Sequence, residues 1–368
     1  MANPFEFSDE LGPEKVIELY DPATSLLAFL VVDNVAMGPS IGGLRMATDV
    51  TVEECFRLAR AMTLKNAAAG LPHGGGKAVI IADPKMPKAD KERIVRAFAY
   101  AIRNVEDYIV GPDMGTDETA MAWVHDVIHR CVGLPREIGG IPLDEIGATG
   151  FGLAAALDVA QELHDFEIDG ARVVVQGFGS VGQHAARFLC RRGARLVGVS
   201  DSRGARAYAD GFDVDALIAF KNAGQGVSEF EAGDALERDA VVDIESEIWI
   251  PAARPDVLRA DNVARLNTKV VAEGANIPAT LEAEEMLAER GILVIPDFIA
   301  NAGGVICAAV EYAGGTQTQA LSAIDEKIRA NTREVLSTAK QSGQLPRDVA
   351  AALARKRVVR AMEFRQTF

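Results

Sequence analysis

The sequence predicts an α/β protein of two domains, the second built on a doubly wound parallel sheet with helices on both faces. Three observations predict it. At 368 residues the chain exceeds what one ordinary core holds, so two domains are expected. From about residue 171 onward, apolar β-branched runs alternate with helical patterns, as strands joined by helical crossovers do. Between the first of those runs and the helix after it lies Gly177-Phe178-Gly179-Ser180-Val181-Gly182, a glycine spacing that suits a tight strand–helix joint.

The elements follow in order. Residues 24–33 form an apolar, partly β-branched run that reads as a strand, and a glycine-rich turn follows from Gly38 to Gly43. Thr51-Val52-Glu53-Glu54 fits a capping box, the hydroxyl taking an orphan N–H and the glutamate reaching back. Cys55, Leu58, Ala59 and Met62 continue at helical spacing until Gly70 and Pro72 stop the helix. A triple glycine at residues 74–76 reads as a loop without side chains and leads into a strand at 78–82. Ile94, Val95, Phe98, Ile102 and Val105 mark a helix over 90–105, and a short strand at 107–110 ends at Gly111-Pro112-Asp113. Around residues 131–147 glycine, proline and charge break the pattern, as a link between domains does. Beyond it come a strand at 171–176, a helix from Ser180, a strand at 195–200 and a helix near 214–223. Further strands are expected near 240–244, 247–250, 269–272 and 292–295. From Asn301 the chain is mostly helical, interrupted at Gly314-Gly315 and Ser342-Gly343.

Hydrophobic content of 49% with 25% charged residues describes a globular chain. The net charge of −15 supplies no counterion-release term for nucleic acid and is repelled by anionic membranes, so neither is an expected partner. A small basic pocket in such a protein would concentrate an anionic substrate. No apolar run is long and clean enough to span a bilayer, and the N-terminal residues lack the basic start and apolar stretch of a signal peptide. Cys55, Cys131, Cys190 and Cys307 lie far apart and read as small buried residues of a reducing compartment. The five histidines have no zinc-site spacing to them, so no metal is expected. A cytoplasmic protein is the expectation.

Lys65 and Lys77 flank the triple glycine, the first near the end of an apolar-periodic helix and the second opening the run Ala78–Ile81. Two cations carried into the edge of a core are costly unless something anionic meets them, and crowding would lower the pKa of each. Two snorkelling lysines beside a tight turn are the plainer alternative. Asp113, in a turn after a strand, suits general acid–base work, or else bonds its own turn backbone; proximity to Lys77 would favour the first.

In the glycine fingerprint, Gly177 makes the tight turn, Gly179 lets backbone N–H groups reach a pyrophosphate, and Gly182 packs helix against strand. With Phe178, Ser180 and Val181 these residues form a loop and helix N-terminus that attract phosphates. Asp201, ending the next strand, is placed for the adenosine ribose hydroxyls and favours NAD, while Arg203 and Arg206 keep NADP open. Asn276, after the strand at 269–272, and Asn301, before Gly303-Gly304, sit where ligands gather or else cap helices, and Thr149 is a cap by default.

Taken together, these stretches resemble the glutamate/leucine/phenylalanine/valine dehydrogenase family. The matches run in order: Gly42-Gly43-Leu44-Arg45, Lys65, the glycine run ending in Lys77, Asp113, Ala148-Thr149-Gly150, the fingerprint, Glu273-Gly274-Ala275-Asn276 and Asn301-Ala302-Gly303-Gly304. The resemblance implies a substrate-binding and oligomerisation domain over residues 1–135 and a Rossmann-type dinucleotide domain over 136–334. Helices over 335–368 would return to the first domain, and a cleft would close between the two. It also implies NAD or NADP as cofactor and a homo-oligomer. Carried over to matching positions, Lys65 binds the substrate α-carboxylate beside Gly42 and Gly43, Lys77 polarises the group at C2, and Asp113 shuttles the proton. Thr149 touches the nicotinamide carboxamide, and Asn276 the substrate carboxylate or the nicotinamide ribose, with Asn301 on the cofactor side.

In glutamate-specific members of that family a lysine precedes the Gly-Gly-Leu-Arg motif and a serine follows the Asn-Ala-Gly-Gly motif, both meeting the distal carboxylate. This chain has Ile41 and Ala308 there. With Met46, Met114 and Val305 they outline an apolar pocket, against which a second buried carboxylate would cost several kcal/mol. The expected reaction is reversible NAD(P)-dependent oxidative deamination of an L-amino acid, apolar or aromatic, to the 2-oxo acid and ammonia. The stretch from Met62 to Leu71 is similar to the leucine/phenylalanine branch and that from Glu273 to Asn301 to the glutamate branch. A glutamate dehydrogenase is therefore the alternative, and an NAD-binding regulatory protein without catalysis a third.

Overall fold

The computed structural model describes residues 4–365; residues 1–3, part of the N-terminal stretch read above, and residues 366–368 of the expected returning helices lie outside the described residues. The described residues fall into two compact units. Those within Met1–Pro142, Val305–Ala320 and Ala351–Phe368 form the first, and Leu143–Gly304 with Leu321–Ala350 the second.

The first unit is built on five strands: β1 (Lys15–Asp21), β2 (Leu26–Asn34), β3 (Ser40–Ala47), β4 (Gly74–Ile81) and β5 (Tyr108–Pro112). Their order in the sheet is β1-β2-β4-β3-β5. β2 runs antiparallel to β1 and β4, whereas β3 lies parallel to both β4 and β5. Helix α1 (Val52–Ala68) starts where the capping box predicts, with Thr51 Oγ1 accepting the Glu54 N–H at 3.1 Å. Its buried stripe of Cys55, Phe56 and Ala59 packs on Val31 and Val79. Helices α2 (Lys88–Ala101) and α3 (Glu118–Ile128) contribute Val95, Phe98 and Val124 to the other face, against Leu30, Leu44 and Ile80. Each fully buried side chain of this size stabilises the fold by roughly 1.5–3 kcal/mol.

Two expectations change here. Residues 38–43 were to be a turn and 74–76 a loop, yet Ser40–Ala47 and Gly74–Ile81 are central strands. The glycines serve close approach rather than turning. A Cβ on Gly42 would lie 1.7 Å from the Gly76 carbonyl oxygen, and one on Gly75 would lie 2.0 Å from the Thr63 nitrogen of α1. Strand and helix backbones meet there at distances no side chain allows.

In the second unit the elements are α4 (Ala148–Leu163), β6 (Arg172–Gln176), α5 (Ser180–Cys190), β7 (Arg195–Asp201), β8 (Gly204–Ala207), α6 (Val214–Asn222), β9 (Asp234–Leu236), β10 (Ile248–Pro251) and β11 (Val270–Ala272). They continue with α7 (Leu281–Glu289), β12 (Leu293–Ile295) and α8 (Asp297–Ala300), and the chain ends in α9 (Gly303–Tyr312), α10 (Gln317–Ser342) and α11 (Pro346–Met362). The sheet order is β12-β11-β10-β6-β7-β8-β9. The first five strands are mutually parallel, as the alternation predicts, and β8 and β9 add an antiparallel edge. Chain order reverses at β6, which lies between β7 and β10; such switch points are where doubly wound sheets bind ligands. The strand expected at 240–244 is instead a 3₁₀ turn, Arg238–Asp243. Three apolar residues between two aspartates are too few for a strand, and Val241 and Val242 fill the core beside Val174 and Trp249.

The division of the tail also differs from the expected one at residue 335. Val305–Ala320 belongs to the first unit, where the buried Glu311 carboxylate accepts N–H bonds from Gly133 (2.7 Å), Leu134 (3.1 Å) and Ile141 (2.8 Å). Residues 335–350 belong to the second, where Lys340 donates to the Leu163 carbonyl at 2.9 Å. Among the described residues no helix is long and apolar enough to cross a membrane.

Candidate active site and dinucleotide groove

In the first unit, β4 carries Lys77 and the turn after β5 carries Asp113. The two side chains meet as an ion pair between Lys77 Nζ and Asp113 Oδ2. Lys77 is buried, and the Asp113 side chain is only 19% exposed, so the pair sits in a medium that strengthens it. The turn chemistry coexists with the pair: Asp113 Oδ1 accepts the Met114 N–H at 2.6 Å, and the Asp113 N–H donates to Thr116 Oγ1 at 3.0 Å. Burial raises the Asp113 carboxyl pKa, but Lys77 and then Arg45 outweigh it and hold the group below the ordinary carboxylate value.

Gly43 forms the wall of this site. A Cβ there would lie 2.7 Å from the Asp113 Cβ and 3.1 Å from Lys77 Nζ, so a side chain would fill the space at the ammonium. Arg45, quoted in the motif but given no role, reaches Asp113 Oδ1 at 3.4 Å and Glu54 at 2.5 Å. The end of α1 that bears Lys65 is fastened here too: the neighbouring Asn66 side chain donates to the carbonyls of Gly74 (2.7 Å) and Ile41 (3.4 Å).

Ile41 and Ala308 are brought together. They form one buried apolar cluster with Ile109 and Val132. Val305 is half-buried and Met114 is exposed. Met46 does not join them; it is wholly buried in the sheet core beside Leu44 and Ile80, so it is removed from the pocket. Burial also pushes the thiols of Cys55, Cys131 and Cys307 up to about 12, leaving them unreactive.

In the second unit, the fingerprint glycines occupy three different environments. Gly177 has φ +94° and its Cβ would lie 2.7 Å from Ala253 at the end of β10. A Cβ on Gly182 would lie 2.2 Å from the Gly177 carbonyl oxygen, so helix and strand touch there. Around Gly179 there is open space. The Phe178 ring is fully buried and its N–H donates to the Ser200 carbonyl at 2.8 Å. Ser180 and Val181 open α5 at the switch point, where the first N–H groups of the helix have no side-chain cap. Beside them lies a cavity of about 410 Å³ lined by Gly177, Gly179, Asp201, Ser202, Lys221 and Arg254 among others. An open glycine at a helix start beside a cavity of that size fits a dinucleotide.

Asp201 lines that cavity with its oxygens already engaged. Oδ2 accepts from Lys221 Nζ (2.5 Å) and the Val227 N–H (3.1 Å), and Oδ1 from the Arg203 N–H (2.8 Å). Burial raises this carboxyl, and the Lys221 and backbone hydrogen bonds more than offset it, lowering the pKa. Arg206 turns away to four backbone carbonyls, and Arg203 reaches Glu229 at 3.7 Å. The cations on the cavity are therefore Lys221, Arg238 and Arg254, which no motif in the sequence marks.

Of the other three predicted residues, Thr149 and Asn276 are not helix caps, whereas Asn301 is the C-cap of α8, its N–H donating to the Asp297 carbonyl. Gly147 precedes α4, so Thr149 is a helical residue, with its Oγ1 3.4 Å from where a Gly304 Cβ would be. Thr280 caps α7, so Asn276 does not. Asn301 is buried and its side-chain amide donates to Ala275 O, Asn276 Oδ1 (both 3.1 Å) and Gly274 O (3.4 Å). Its own Oδ1 is buried without a partner, an acceptor of the kind a carboxamide would satisfy.

Known proteins resemble both halves of the chain. Residues 139–366 match Glutamate/Leucine/Phenylalanine/Valine dehydrogenase, and residues 13–130 match the Glu/Leu/Phe/Val dehydrogenase dimerisation domain. A glutamate dehydrogenase from Aeropyrum pernix is 36% identical over 90% of this chain and 85% of its own length. An NADP-specific glutamate dehydrogenase from Saccharolobus shibatae is 36% identical over 90% and 83%. Among solved structures, the hetero-hexameric glutamate dehydrogenase of Thermus thermophilus in its Leu-bound form has a TM-score of 0.87 at 29% identity, covering 97% of this chain and 91% of that one. The L-tryptophan dehydrogenase of Nostoc punctiforme has a TM-score of 0.76 at 26% identity, covering 97% and 99%. With both halves matched, the chain belongs to the Glutamate/Leucine/Phenylalanine/Valine dehydrogenase family and is an NAD(P)-dependent amino-acid dehydrogenase.

Proposed function

We propose that this dehydrogenase deaminates an L-amino acid with an apolar or aromatic side chain, and that Lys77 and Asp113 are its catalytic pair. The observation that carries the substrate reading is the buried apolar cluster of Ile41, Ala308, Ile109 and Val132. Where a glutamate side chain would need a cation and a hydroxyl, this cluster offers hydrocarbon, and desolvating a second carboxylate against it is unfavourable. Relatives named glutamate dehydrogenase support the other reading, glutamate as substrate.

In the proposed mechanism Lys65 holds the substrate α-carboxylate beside the bare backbone of Gly42 and Gly43. With the substrate amine deprotonated to solvent, a bound nicotinamide would supply the hydride acceptor for C2. Lys77 stabilises the oxyanion that develops as water adds to the resulting iminium. Asp113, ionised at neutral pH, takes one proton from that water and returns it to the departing amine, while the carbinolamine hydroxyl gives up its proton to solvent as the carbonyl forms. Thr149, Asn276 and Asn301 orient the nicotinamide end, and the α5 N-terminus holds the pyrophosphate. At the adenosine end Asp201 serves the ribose hydroxyls of NAD, while Ser202, Lys221 and Arg254 accommodate a 2′-phosphate, so both cofactors are used. We also propose that the chain assembles with copies of itself, since its first half matches a dimerisation domain.

The test is direct. Lys77→Ala and Asp113→Asn are each expected to lose at least ~10³-fold in kcat while NADH still binds by fluorescence titration. A Lys77→Ala enzyme with near-normal kcat would contradict the assignment.

A further inference from the structure

Ile277 has φ +48°, a left-handed backbone that a β-branched residue adopts only under constraint. Packing does not account for it, because the residue is 54% exposed. Strain of this kind persists where the surroundings over-determine it, and it gathers at ligand sites. Here the surroundings are specific. The Ile277 N–H donates to Asp297 Oδ2 at 2.9 Å, and its carbonyl accepts the Asp256 N–H at 3.0 Å.

Asp297 is in turn gripped by Arg347 at the start of α11, Nη1 to Oδ1 at 3.0 Å. The same guanidinium reaches Glu273 Oε2 at 2.6 Å and Glu284 Oε1 at 2.5 Å. All three carboxylates are buried, Glu273 completely. Three acids around one arginine are costly to desolvate, and an apolar cluster of equal volume is often as stable or more so. Stability alone gives no reason for the arrangement.

Its position does. Asn276 immediately precedes the strained peptide, and its Oδ1 accepts from the Asn301 amide at 3.1 Å. Asn301 is itself set by Asp297, whose carbonyl accepts the Asn301 N–H at 2.7 Å. Asp297 thus fixes both asparagines, and Arg347 fixes Asp297. We infer that Arg347 is a positioning residue: through Asp297 and the strained Ile277 peptide it holds Asn276 against Asn301 for ligand binding, an inference that rests on the ligand-binding reading of Asn276.

The experiment compares Asn276→Ala, Ile277→Gly, Arg347→Met and the doubles Asn276→Ala/Ile277→Gly and Asn276→Ala/Arg347→Met in the full-length enzyme. Melting temperature, NADH affinity by fluorescence titration and kcat/KM are read for each. Ile277→Gly loses little packing and sheds strain, so it is expected to melt at or above the parent while kcat/KM falls roughly tenfold. Arg347→Met is expected to lose at least as much. Neither change should lower kcat/KM further once Asn276 is alanine, because both act through it. If Arg347→Met does not fold, Arg347→Lys replaces it, keeping the charge and losing the planar fork. An impaired Asn276→Ala beside Ile277→Gly and Arg347 variants of normal kinetics, or losses that simply add in the doubles, would overturn the positioning role alone. An Asn276→Ala enzyme with parental NADH affinity and kcat/KM would remove the ligand-binding reading of Asn276 and the positioning role with it.

Discussion

Asp113, half-buried, and Glu273, wholly buried, are carboxyls whose pKa values move in opposite directions, and each leaves a different mark on stability. For Asp113 burial works upward, but Lys77 and Arg45 prevail and the group is lowered. Its contribution to stability is fully present above the unfolded carboxylate value of about 3.9 and is lost as pH falls through the lower folded value. For Glu273 burial prevails over Arg347, with Glu284 and Asp297 adding to it, and the group is raised well above its ordinary value. Folding is therefore penalised progressively as pH climbs from about 4.3 toward that raised value. Glu273→Gln removes the titration while keeping an oxygen for Arg347 and the Asp297 N–H. As pH rises from 5 to 8 the parent is expected to lose more in Tm than Glu273→Gln. Parallel Tm curves for the two would contradict a raised Glu273. Neither ionisation was legible in the sequence. Asp113 was singled out with two readings open, and only its distance in space from Lys77 and Arg45 could choose; Arg347 stands 74 residues beyond Glu273 with no motif around it.

At the scale of elements, the glycines divide into those that permit packing and those that leave room. Gly75 belongs to the first kind, with α1 lying on the backbone of β4. Gly75→Ala must push Thr63 away, and a loss of at least ~1–3 kcal/mol is expected, with Tm falling accordingly. Gly179 belongs to the second, since nothing lies within 4 Å of its Cβ position. Gly179→Ala is expected to keep the parental Tm and to weaken NADH binding. The reverse pattern, a stable Gly75→Ala and an unstable Gly179→Ala, would contradict both assignments. This distinction is what the sequence withheld. Strand β6, the fingerprint, α5 and β7 were legible because apolar period and glycine spacing agree over that stretch. Residues 40–43 and 74–76 were misread, whereas Gly38 does lie in a turn, because glycine signals a turn and a close approach alike, and the difference lies in what packs opposite. The short run at 240–244 failed for a related reason, since three apolar residues fit one 3₁₀ turn as well as a strand.

For the whole molecule, an acidic chain of net charge −15 gathers cations at two places that matter. Lys77 and Arg45 meet Asp113 in the first unit, and Lys221, Arg238 and Arg254 line the cavity of the second. Both would attract anionic ligands to an otherwise repelling surface. The first was foreshadowed by the lysine pair, the second was not, because Lys221, Arg238 and Arg254 converge only once the sheet is wound. The apolar make-up of the Ile41 cluster sets the reading of the substrate. Initial rates with leucine, phenylalanine, tryptophan and glutamate, each with NAD and with NADP, test it most directly. For at least one apolar or aromatic amino acid, kcat/KM is expected to exceed that for glutamate by at least ~10²-fold, because a charged group must otherwise enter a site without its partner. A kcat/KM for glutamate equal to or above that for every apolar substrate would contradict it.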